Sequence, residues 1–74
     1  MDKKFSLTDG MEYHKAGNFE LADEIYLSLQ NLDPYNVKLL CLRGLVAQSI
    51  NQPDKAIELF LKANVLFSTL KWLL

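Results

Sequence analysis

Cysteine occurs once, at Cys41, and histidine once, at His14. A single cysteine cannot close an internal disulfide, and without a His/Cys cluster there is no zinc knuckle. An excess of one charge is also missing, since eight Lys and Arg stand against nine Asp and Glu, a formal net charge of −1. Nucleic-acid binding normally demands a basic face, which this balance does not supply. Lys3 and Lys4 are too few for a polybasic membrane patch, and no apolar stretch follows them to make a secretory signal. The most apolar segment, Val65 to Leu74, is interrupted by Ser68, Thr69 and Lys71. It is far shorter than the roughly 20 residues a spanning helix needs.

The chemistry-bearing motifs are absent as well. No phosphate-cradling glycine loop, dinucleotide fingerprint or His-Glu-x-x-His pair occurs. A lone histidine on a helix is ordinarily a polar surface residue, and Cys41, set among leucines, reads as a small hydrophobe. Asp23, Glu24 and Glu58 have no metal-ligand spacing, and Glu20, Asp23 and Glu24 near a helix start suit the helix dipole. The expectation is a protein that is not an enzyme, with no catalytic, cofactor-binding or metal-binding residue and no cofactor. A cytoplasmic location is the default, with neither nucleic acid nor membrane as partner.

What is present is a globular composition, half apolar and 23% charged, in a chain of 74 residues. That length makes one domain at most, near the lower size for unaided folding. Within it the chain repeats. At an offset of 34 residues Gly10 falls on Gly44, Ala22 on Ala56, Glu24 on Glu58 and Leu32 on Leu66. Tyr26 falls on Phe60, Met11 on Leu45, Ile25 on Leu59 and Leu29 on Ala63, so small meets small and large apolar meets large apolar.

Local signals in phase with that period predict four helices. Ser6, with Asp9 three residues on, opens a helix from about Leu7 to Ala16, and Gly17-Asn18 breaks it. Leu21, Ala22, Ile25, Tyr26 and Leu29 form one apolar stripe on a second helix, from about Phe19 to Asn31, ended by Asp33-Pro34. Asn36 caps a third, from about Val37 to Ile50. Asn51-Gln52 turns the chain, and Pro53 suits the first turn of a fourth that runs to about Val65. Ser68 can cap one last helical turn.

Gly10, Tyr13, Ala22, Tyr26 and Pro34 in the first unit, and Gly44, Ala56, Phe60 and Ala63 in the second, resemble the tetratricopeptide consensus. Ser6, Ala47 and Ser68 depart from it, standing where the family has a large apolar residue, a tyrosine and a proline. The resemblance implies an all-α fold of two antiparallel helix-turn-helix hairpins, stacked as a short right-handed α-solenoid with a short C-terminal helical segment. Residues 1–74 then make one domain, with repeat one at about 3–36, repeat two at about 37–70 and a truncated third at 71–74. Ala22 and Ala56 are expected against Gly10 and Gly44, where small residues let helices approach.

The family binds proteins along the concave face lined by the first helix of each unit. On the helical wheel opposite the core stripe, that groove is expected to hold Lys4, Leu7, Met11, His14, Lys15, Lys38, Cys41, Leu42, Leu45 and Gln48. Leu7, Met11, Cys41 and Leu45 occupy the positions where related arrays grip acidic chaperone C-termini with lysine, asparagine and arginine. Such a carboxylate clamp is therefore not formed. Asparagine ladders of the kind found in sugar-transferase arrays are missing too, with Thr8 and Leu42 instead. The expected role is a protein-interaction module that takes an apolar or amphipathic peptide segment, with Met11 adapting its shape. GMEYHKAGNFELADEIY and LDPYNVKLLCLRGLVAQ also resemble N-terminal arrays ahead of bacterial glycosyltransferase or methyltransferase domains. The alternative is thus a recruiting segment of a larger enzyme.

The C-terminal segment carries Phe67, Leu70, Trp72, Leu73 and Leu74 with Lys71 as its one charge. Repeat arrays normally end in a helix with a polar outer face, which this segment is not. Three readings stand open: the chain is the leading piece of a longer array, the segment pairs with a second copy as a homodimer, or it folds back over the fourth helix. Self-association would use Phe67, Leu70, Trp72 and Leu73.

Overall fold

Ser6 opens the first helix through a reciprocal cap. The Asp9 N–H donates to Ser6 Oγ at 3.3 Å, while the Ser6 N–H donates to the Asp9 carboxylate at 2.8 Å. The computed structural model describes residues 5–73, with the side chain of Leu73 outside the description. Four helices follow in order: α1 (Leu7–Lys15), α2 (Phe19–Leu32), α3 (Val37–Ser49) and α4 (Pro53–Leu73). No strand occurs among the described residues.

The two hairpin turns are built alike. After α1 the Gly17 N–H bonds the His14 carbonyl (3.1 Å) and the Asn18 N–H bonds the Tyr13 carbonyl (2.9 Å). After α3 the Asn51 N–H bonds the Gln48 carbonyl (3.2 Å) and the Gln52 N–H bonds the Ala47 carbonyl (2.8 Å). Both are Schellman exits, which need a left-handed residue just past the helix. Gly17 (φ 85°) and Asn51 (φ 61°) supply it, one period apart. Between the hairpins, Asp33 before Pro34 leaves helical geometry (φ −141°, ψ 73°), and the Asn36 side chain accepts from the Leu39 N–H at 3.2 Å to start α3.

Residues 67–70 stand one period after this junction and lack its chemistry. Phe67-Ser68-Thr69-Leu70 replaces Asp33-Pro34-Tyr35-Asn36, with neither a proline to stop the helix nor an asparagine to cap a new one. Accordingly α4 does not end near Val65, and Ser68 caps nothing. The helix runs unbroken to Leu73, and the segment neither turns nor folds back over α4.

Two apolar clusters hold the stack. Ala22, Tyr26, Leu39 and Val46 form one, across α2 and α3. Leu40, Ala47, Ala56, Leu59 and Ala63 form the other, between α3 and α4. Helix α3 therefore lies between its neighbours with two faces buried. This explains why its sequence is apolar nearly all round instead of showing a single stripe. Arg43 is the charged residue of that helix that is drawn into its packing. Its Nε donates to Asp23 Oδ1 at 3.1 Å and its Nη1 to Gln30 Oε1 at 3.0 Å, tying α3 to α2. Lys55 at the start of α4 lies 4.0 Å from the other Asp23 oxygen.

The side chains nearest Gly10 and Gly44 are rings. A Cβ at Gly10 would stand 2.6 Å from Tyr26 Cε1 and 3.2 Å from Ile25 Cγ2, and one at Gly44 would stand 2.5 Å from Phe60 Cε1. Ala22, expected against Gly10, belongs to the cluster that receives α3, and Ala56, expected against Gly44, to the cluster between α3 and α4. Each alanine sits one helical turn before the ring that covers the glycine.

Two outcomes follow from this packing. Tyr26 is 0% exposed and cannot yield, so Gly10→Ala should destabilise by about 1–3 kcal/mol through overpacking. That exceeds the roughly 0.5–1 kcal/mol that alanine gains over glycine inside a helix. The Phe60 ring is only half-buried, and Gly44→Ala should cost less. Thermal denaturation of both variants checks the order, and a Gly10→Ala protein as stable as the parent would show that the ring moves. The Tyr26 hydroxyl is buried without a hydrogen-bond partner among the described residues, and burial pushes its phenol above the usual value. The second hairpin has phenylalanine at this position. Tyr26→Phe should therefore leave stability unchanged or raise it by about 1 kcal/mol, whereas a clear loss would mean that the hydroxyl is bonded.

Candidate protein-interaction surface

Of the side chains expected along the α1/α3 face, Met11 and Leu45 are the large apolar ones that reach solvent. They are 38% and 44% exposed and occupy equivalent positions, one period apart. Lys15, Lys38 and Gln48 are exposed around them. The others are drawn into packing. Leu7 and Leu42 are half-buried against the first cluster, and Cys41 against the second. The His14 ring lies edge-on to Phe19 at 5.7 Å and to Tyr26 at 6.3 Å, inside the α1–α2 contact. Lys4 lies outside the described residues.

The surface is thus narrower than the helical wheel suggests: two apolar side chains with polar and basic neighbours. The wheel treats each helix as having one core side. Helix α3 has two, which is why Cys41 and Leu42 turn inward on either flank of Leu45.

Two further apolar surfaces occur on α4. Ile57, Leu61 and Val65, four residues apart, are all exposed along its outer face. With Pro34, Tyr35 and Leu66 the last two border an open cleft of about 540 Å³. This stripe was legible as an i, i+4, i+8 spacing, but the 34-residue comparison draws attention to Ala56, Phe60 and Ala63 on the other side of the helix. Toward the C-terminal end Phe67, Leu70 and Trp72 are exposed as well, Trp72 by 89%. A separate cleft of about 370 Å³ opens between α3 and α4, beside Cys41 and Phe60.

No group of three or more His, Cys, Asp or Glu that could hold a metal occurs among the described residues. No helix among them is long and apolar enough to cross a membrane.

The tetratricopeptide repeat family model matches twice, over residues 10–36 and 37–64, and each match falls within one hairpin. DnaJ homolog subfamily C member 7 of Homo sapiens and the protein of the same name of Mus musculus are each 41% identical to this chain over 54 residues, 68% of its length. The match covers 11% of each relative, so the chain spans about a tenth of the length of these proteins. No solved structure matches the chain. With two adjacent repeats matched, each a helical hairpin closed by a ring over a glycine, the chain belongs to the tetratricopeptide repeat family, whose repeats mark a protein-interaction module.

Proposed function

We propose that the α1/α3 face receives an apolar or amphipathic segment of a protein partner, with Met11 and Leu45 as its anchors. The observation that carries this reading is the repeated exposure of one large apolar side chain at the same position of both units. Every other large apolar residue of α1 and α3 is at least partly withdrawn into packing. Methionine suits such a surface because its unbranched side chain adapts to different contours. Lys38 and Gln48 make a polar rim, which tunes association rate and salt dependence more than affinity.

A partner recovered by affinity capture and identified by mass spectrometry provides the test. Met11→Ala and Leu45→Ala should each weaken its binding about tenfold or more in calorimetric titration. Lys38→Ala should mainly alter the salt dependence. A partner whose affinity collapses with salt but ignores both apolar substitutions would reverse the assignment.

A second reading concerns the end of α4, where Phe67, Leu70 and Trp72 are exposed together. Apolar side chains exposed around one helix end support an interface there, and a two-fold pairing of that end is the simplest closed assembly. The expected result is a dimer by sedimentation at micromolar concentration, returned to monomer by Leu70→Glu with Trp72→Glu. A monomeric parent chain would remove this reading.

A further inference from the structure

The open cleft of about 540 Å³ between α4 and the Pro34-Tyr35 junction is a feature of the second hairpin that the first does not share. Glu58, Leu61, Lys62 and Val65 line it from α4, at i, i+3, i+4 and i+7, so all four lie on one face of that helix. One period earlier the same places hold Glu24, Leu27, Ser28 and Asn31. The second unit thus adds a cation and a large apolar side chain where the first has serine and asparagine.

A further repeat would not close this cleft. The first hairpin already has one stacked on it, and Glu24, Leu27, Ser28 and Asn31 stay exposed all the same. An occupant for Leu61 and Val65, 60% and 63% exposed, has to come from outside the stack. The rim carries opposite charges one turn apart, and neither Glu58 nor Lys62 takes part in an ion pair among the described residues. A helix that fits must bring a cation to Glu58, an anion to Lys62 and an apolar side chain between them. Helix α4 itself, run antiparallel, does all three, because reversal sets its Lys62 against Glu58 and its Glu58 against Lys62.

We propose that the cleft is filled by α4 of a second copy of this chain, the two helices running antiparallel about a two-fold axis close to Leu61. The pairing rests on the self-association proposed for the end of α4 and gives it an orientation. Leu61 and Val65 of both copies make the apolar seam, with a Glu58–Lys62 pair on each half of it. The exposed Tyr35 ring, on the far wall, covers the incoming helix. At this register each α4 lays its Leu70 and Trp72 end against the start of the other, so one interface uses both exposed parts of the helix. The charges decide direction more than affinity, since a parallel pairing would bring like charges to the same height.

Sedimentation of the whole 74-residue chain and its charge variants tests this. Glu58→Lys and Lys62→Glu, both at exposed positions, should each weaken self-association at least about tenfold, because each sets like charges against one another across the seam. The double exchange Glu58→Lys with Lys62→Glu should restore it. An equimolar mixture of the two single variants should form a dimer with one chain of each. A dimer indifferent to both single exchanges, or one that the double exchange fails to restore, would overturn this pairing and leave the self-association of the helix ends in place. A parent chain that stays monomeric into the millimolar range would overturn both, and the cleft would then belong to a different protein.

Discussion

The structure depends on the absence of two Cβ atoms. Gly10 and Gly44 let an aromatic ring from the second helix of each hairpin lie directly on the backbone of the first, closer than any side chain would permit. The consequence at Tyr26 reaches beyond its own hairpin. Pressed against Gly10, the ring is fully buried and forms, with Ala22, the floor on which Leu39 and Val46 settle. Small residues thus do two jobs here: glycine brings the helices of one hairpin together, and alanine leaves room for the next helix to arrive.

Helix α3 joins the halves because both of its flanks are used. Leu39 and Val46 face the first hairpin, and Leu40 and Ala47, each one residue later, face α4. Adjacent residues on a helix point about 100° apart, so two such pairs address two neighbours at once. Arg43 fits between the apolar contacts of this helix because Asp23 and Gln30 meet its guanidinium across the junction. The repeat is therefore symmetric in its packing and asymmetric in its polar contacts.

The ends of the helices show how few residues decide connectivity. Gly17 and Asn51 close the two hairpins with the same hydrogen-bond pattern although only one is a glycine, asparagine being the other residue that tolerates the left-handed conformation. At the next junction an equivalent decision goes the other way. Without a proline at position 68 or an asparagine at position 70, nothing interrupts the backbone ladder, and α4 carries Phe67, Leu70 and Trp72 out into solvent.

The sequence alone determined the helices and their pairing. The 34-residue period, the Ser6–Asp9 and Asn36 caps and the Gly17, Pro34 and Asn51 breaks are local, and local hydrogen bonding decides where a helix starts and stops. It also determined that Met11 and Leu45 would be equivalent. What the sequence left undecided was which side chains share a contact. The closest approach to Gly10 and Gly44 is made by the Tyr26 and Phe60 rings, because contact across a hairpin depends on the reach of a side chain as well as on its position in the period. Cys41 and Leu42 have the spacing of a groove, yet both side chains turn into the packing, since the tertiary structure gives α3 a neighbour on each side, and the His14 ring on α1 lies against Phe19 and Tyr26 of α2. Arg43 likewise reads as a surface charge until α2 brings Asp23 and Gln30 beside it. The physical reason is common to all of these. Capping and periodicity act within a few residues, whereas burial is set by what the folded neighbours leave uncovered.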